Sequence, residues 1–173
     1  MLVKAPGQDR AVKEVLCKHR RGRAERGLVE SVTAAATLGV HEGMENARQT
    51  VSSGSPLEPQ IGFSRAARKG KHVAVAGTAP IGEDGEAVGP GSVYERTVRC
   101  LDIAEAALEE AGATLNHVVR TRVMLTDVTR WKEAGQAHGE RFASILPTCT
   151  FVEVSCFIDA DWLVELELDA IID

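Results

Sequence analysis

The chain has 173 residues, 44% of them hydrophobic, enough for one sizeable core and one domain. A formal charge of −5 and a pI near 5.6 argue against nucleic acid as a partner, because such surfaces rely on bulk positive charge. Cys17, Cys100, Cys149 and Cys156 form no CxxC pair and have no histidines at ligand spacing, so neither a metal site nor a disulfide framework is expected. The sequence has no apolar run long enough for a bilayer and no apolar N-terminal signal, so a cytoplasmic protein without a membrane partner is expected.

Residues 1–43 are net positive, with CKHRRGRAERG from Cys17 as their basic centre. They read as a solvated, weakly helical or poorly ordered N-terminal extension without a catalytic role. Residues 44–173 read as the functional domain. His72 to Gly77, HVAVAG, is a short β-rich run that ends in the turn-forming TAPIGEDGE. Ser92 followed by Glu95 has the spacing of a capping box. Tyr94, Val98, Leu101, Ala104, Leu108 and Ala111 then mark one buried helical face, and Gly112 supplies a left-handed stop.

HVVRTRVMLTD alternates with period two, which sends Val119, Thr121, Val123 and Leu125 one way and Arg120, Arg122 and Met124 the other. Asp127 or Thr129 caps a second helix, with Trp131, Ala134, His138 and Phe142 on its apolar face. Two alternating strands close the chain, CTFVEVS and LVELELDAI. The element order β, α, β, α, β, β predicts an α+β fold, a mixed sheet with two helices packed on one face. Val119, Thr121, Val123, Val152, Val154, Val164, Leu166 and Leu168 are expected beneath the helices. The other face is expected to carry Arg120 and Arg122, Cys149, Phe151 and Glu153, and Glu165, Glu167 and Asp169. That mixture of aromatic, acidic and guanidinium groups suits an oligomer interface with polar pockets.

GFSRA at Gly62, VAGTAP at Val75, EEAGATLNHVVRTRVMLTD at Glu109, and the closing VEVS and LVELELDA resemble, in order and spacing, the successive motifs of the RidA/YjgF family. The resemblance covers about the last two-thirds of the chain. It implies a chorismate-mutase-like fold, a homotrimer, and ligand pockets at subunit boundaries for a small polar metabolite. The best-known members hydrolyse reactive enamines and imines without a bound cofactor. Carried over by position, the resemblance puts the pocket aromatic at Phe63, the backbone glycine of the strand-end turn at Gly77, and the water-activating acid at Glu165. Phe63 lacks the hydroxyl of the tyrosine usual there. Cys149 stands where deaminating members have an arginine that clamps the substrate carboxylate, a task that needs a planar two-donor fork. The chain is thus similar to the arginine-lacking branches of the family.

At the residues themselves, alternatives stand side by side. Glu165 activates a water if burial raises its pKa, or it bridges Arg120 or Arg122. Arg122 either takes over the missing clamp or neutralises Glu153 or Glu167. Cys149 is a nucleophile only if its thiolate is stabilised, and otherwise lines a pocket beside Phe151. His138 reads as a packed histidine rather than a base. Two functions of different class follow. One is a cofactor-free hydrolase or deaminase in which Glu165 activates water while the Gly77 backbone and Thr78 orient the substrate. The other is a metabolite-binding or regulatory trimer without turnover.

Overall fold

Alternation along the last strand builds the centre of the molecule. In VELELDAI the apolar positions Val164, Leu166, Leu168 and Ala170 are all buried, while Glu165, Glu167 and Asp169 face the opposite side. The computed structural model describes residues 47–173, so the expected N-terminal extension lies outside the described residues. Six strands, β1 (Arg48–Val51), β2 (Ala66–Lys69), β3 (His72–Thr78), β4 (Val118–Leu125), β5 (Thr148–Glu153) and β6 (Val164–Ile171), form one sheet in the order β1-β2-β3-β6-β4-β5. All neighbours are antiparallel except β4 and β5, whose parallel pairing requires the helical crossover between them. A short helix, α1 (Glu58–Ile61), precedes β2. The long helices α2 (Val93–Glu110) and α3 (Trp131–Phe142) complete an α+β architecture in which they pack on the sheet and on each other.

The signals at the ends of α2 act as the sequence predicts, with one difference. The Ser92 hydroxyl accepts from the Glu95 amide at 3.1 Å, but the Ser92 amide donates to Gly89 O, so the reciprocal half of the capping box is absent. At the other end Gly112 has φ +80°, and Ala113 N donates to Leu108 O, the bond that closes a left-handed helix stop. The buried face of α2 is centred on Val93, Thr97, Cys100, Leu101, Ala104 and Leu108, whereas Tyr94 and Val98 lie at its margin. Leu101, Leu108, Val73, Val123, Val164 and Leu166 are essentially inaccessible. Each such side chain contributes about 1.5–3 kcal/mol relative to exposure.

Three expectations need correction. Strands β1 and β2 add to the expected element order: RQTV and AARK are four residues each and carry little apolar alternation. Gly70, at φ +61°, turns β2 back onto β3, and β1 pairs with the other edge of β2. Val119 is 42% exposed rather than buried. A register irregularity between Val118 and Arg120 shifts the alternation, so Val118 takes the core position.

The faces of β5 are also exchanged. Cys149 pairs with Thr121 and Phe151 with Val123, which places them on the helix side, while Thr150 and Val152 join Arg122 and Met124 on the open side. Adjacent strands share side-chain direction at paired positions, so the parallel register, invisible in the sequence, decides which alternate set is inside.

Candidate functional site

On the open face of the sheet, β6 presents three carboxylates and β4 presents Arg120, Arg122 and Met124. The antiparallel register sets Arg120 against Asp169, Arg122 against Glu167, and Met124 against Glu165. Two ion pairs result, Arg122 with Glu167 and Arg120 Nη1 with Asp169 Oδ2 at 3.5 Å. The four charged side chains line a shallow concavity. Each pair is partly exposed and stabilises by about 0–1 kcal/mol. Arg122 therefore neutralises Glu167, one of the two carboxylates named for that role. Glu165 bridges neither Arg120 nor Arg122, because a thioether occupies the position across from it.

On its other flank Glu165 meets β3 at a bulge. Val75 pairs with Leu168 and Thr78 with Leu166, so three steps along β3 oppose two along β6. Gly77 lies inside this bulge, and a Cβ placed on it would stand 2.8 Å from Glu165 Oε2. As placed, the carboxylate oxygen occupies space that a side chain at this position would contest. Burial pushes the Glu165 carboxyl above its ordinary value; Arg65 opposes this and Glu167 adds to it. A half-buried carboxylate without a direct arginine partner is suited to hold and release a proton.

Arg65, which precedes β2 in the GFSRA segment, completes the bulge. Its Nη1 donates to Gly77 O at 3.1 Å and to Thr78 Oγ1 at 3.2 Å. Its Nε is buried and has no hydrogen-bond partner. Such an orphaned donor costs about 1–3 kcal/mol. Thr78 is fully buried, and its hydroxyl donates to Ala76 O while accepting from Arg65 Nη1. Arg65 was missed as a site residue; its presence in the motif was visible, its reach to the β3 bulge was not.

The remaining expected site residues lie elsewhere. Phe63 is 37% exposed on the loop after α1, two residues before Arg65. Exposed Cys149 and half-buried Phe151 stand on β5, on the side of the sheet opposite Glu165. Phe151 packs edge-on to Trp131 at 6.3 Å and to His138 at 6.4 Å between ring centroids. His138 shares a 2.9 Å hydrogen bond between Nε2 and Thr121 Oγ1, lies 4.6 Å from the Phe142 ring, and has its pKa lowered by burial. It is a packed histidine. Cys100, buried beneath the sheet with its thiol 4.0 Å from Val164 O, is pushed far above the ordinary thiol range by burial and stays protonated. Within one chain, then, the fold brings together Gly77, Glu165, Thr78 and Arg65, and separates Cys149 and Phe151 from them.

Among the described residues no group of three or more His, Cys, Asp and Glu is placed to hold a metal ion, and no helix is long and apolar enough to cross a membrane.

The family model described as endoribonuclease L-PSP matches residues 54–172. A RutC family protein of Pyrococcus abyssi is 34% identical over 118 residues, which span 68% of this chain and 90% of that protein. The Streptomyces coelicolor protein SCO2049 is 40% identical over 120 residues, 69% of this chain and 89% of that protein. The crystal structure of Rv2704 from Mycobacterium tuberculosis, a member of the YjgF/YER057c/UK114 family, is 44% identical and superposes with a TM-score of 0.66. That match covers 73% of this chain and all of the mycobacterial one.

Proposed function

We propose that this chain, which belongs to the RidA/YjgF superfamily, is a small-metabolite-handling homotrimer whose Glu165 activates water against an enamine, imine or related C–N bond. The observation that carries this reading is the seat of Glu165. Its carboxylate is half-buried, fills the space left beside Gly77 at the bulge, faces Met124 instead of an arginine, and has a raised pKa. A base in that setting takes a proton from water as the water oxygen bonds to the imine carbon. Glu165 passes that proton to the nitrogen; the hydroxyl proton of the tetrahedral adduct then moves through the carboxylate to the same nitrogen as the C–N bond breaks, and a carbonyl and ammonia remain. The chemistry uses no bound cofactor.

Separation of Cys149 and Phe151 from Glu165 within one chain supports a pocket between subunits, in which β5 of one copy meets the Glu165 face of another. Light scattering at micromolar concentration tests this, and a monomer refutes it. Cys149 favours a second reading, a metabolite-binding or regulatory trimer without turnover, because a thiol cannot supply the two-donor carboxylate clamp that the deaminating members place there. The endoribonuclease role in the family description has less support, since Arg120 and Arg122 are already paired with carboxylates. Residues 54–172 match the family model, and the proposed unit begins near residue 44, after the basic extension.

The decisive experiment is ammonia release from 2-aminoacrylate generated in situ, with Glu165→Ala and Cys149→Arg variants in parallel. Turnover above the spontaneous rate that is lost in Glu165→Ala while the assembly persists supports hydrolysis. Absence of turnover in the parent with its appearance in Cys149→Arg supports the binding protein.

A further inference from the structure

We propose that Arg65 is a positioning residue for Glu165: its guanidinium pins the β3 bulge over which the carboxylate sits and supplies the positive charge that faces it. This goes beyond assigning Glu165 its role and rests on that reading only for its effect on turnover.

The geometry assigns two tasks to one side chain. The bulge holds an extra residue between Val75 and Thr78, and its carbonyl at Gly77 and hydroxyl at Thr78 are both taken by Arg65 Nη1. A bulged strand has lost part of its ladder, so a side chain that replaces the missing partner fixes the bend. Fixing Gly77 fixes the gap into which Glu165 Oε2 fits. No ion pair joins Arg65 to Glu165, so the guanidinium influences the carboxylate through space without occupying its oxygens. A direct pair would hold the carboxylate as a structural anion.

The charged and titratable groups around Glu165 are few. Arg65 acts from the segment before β2, Glu167 from β6 itself, and the buried Cys100 thiol from α2. β4 contributes the neutral Met124 and β3 contributes Gly77. Glu58 of α1 acts on Arg65, and its own oxygens are engaged by Ser52 and Ser53. Arg65 is thus the cation that offsets burial and Glu167 at this carboxylate.

The test reads Glu165 directly. Glutamate carboxyl carbons are labelled with carbon-13, the Glu165 signal is identified by its loss in Glu165→Gln, and its titration is followed without substrate in the parent, Arg65→Gln and Arg65→Lys. In Arg65→Gln, whose amide can still donate to the Gly77 carbonyl, the midpoint rises, because the cation that opposes burial at this carboxylate is gone. In Arg65→Lys it stays within a few tenths of the parent. An unchanged midpoint in folded Arg65→Gln overturns the assignment. A second readout needs no arginine variant: the Arg65 Nε nitrogen-15 resonance of the parent follows the Glu165 midpoint and becomes flat in Glu165→Gln. A resonance already flat in the parent overturns it equally. If both titrations behave as expected and the parent still shows no turnover, the hydrolytic reading of Glu165 falls and Arg65 keeps its place.

Discussion

Replacing Gly77 with alanine separates the requirements of the fold from those of the site. The Gly77 backbone is outside the positive-φ region, so alanine introduces no left-handed strain and removes freedom from the unfolded chain, a gain of about 0.4–1 kcal/mol. The new methyl group lies 2.8 Å from Glu165 Oε2, and restoring ordinary van der Waals contact at 3.4 Å requires the oxygen to retreat by about 0.6 Å. The oxygen ends a flexible side chain, so that retreat is cheap for folding. For catalysis it is not: a displacement near 1 Å can cost on the order of 100-fold, and 0.6 Å corresponds to roughly tenfold, or about 1.4 kcal/mol in the barrier. Thermal melting of Gly77→Ala is expected within about 1 kcal/mol of the parent, while ammonia release falls about tenfold. Turnover at the parental rate, with the Glu165 titration unmoved, refutes the argument that the bulge seats the working carboxylate.

Other outcomes follow from burial and charge. Glu165 has a higher pKa folded than unfolded, so the native state binds more protons between the two values; stability falls as pH rises from about 4.5 through the folded pKa. Glu165→Gln removes that loss and should melt at a higher temperature than the parent at pH 7, although it loses turnover. His138 behaves oppositely: burial lowers its folded pKa, so stability falls as pH drops below about 6.5 towards that lowered value. Denaturant midpoints from pH 7.5 to 5.5 should decline less in His138→Gln, whose amide can keep the bond to Thr121. Phe142 is 2% exposed and packs against His138, so Phe142→Ala should cost about 3–5 kcal/mol in chemical unfolding.

Much of the fold is written locally. The Ser92 cap, the Gly112 stop and the alternation of β6 are decided by residues within a few positions of one another, and each appears where the sequence puts it. The ordered motifs from Gly62 onward were enough to indicate the family and its α+β architecture. β1 and β2 were not legible, because RQTV and AARK gain their stability from partners rather than from their own patterning.

The site divides in the same way. Glu165 and Gly77 were expected from the family motifs, but their apposition depends on a bulge that shifts β3 by one residue against β6. Glu165 escapes an arginine because the β4–β6 register sets Met124 across from it, although Arg122 is only two residues away. Phe151 turns towards Trp131 and His138, away from the carboxylates, because the β4–β5 register sets it beside Val123 on the helix side. Arg65 reaches Gly77 and Thr78 from 12 and 13 residues away. Residue types and the alternation along each strand are local properties of the chain. Which of them meet is set by strand register in the folded sheet, because a one-residue change of register moves every side chain of a strand to the other face.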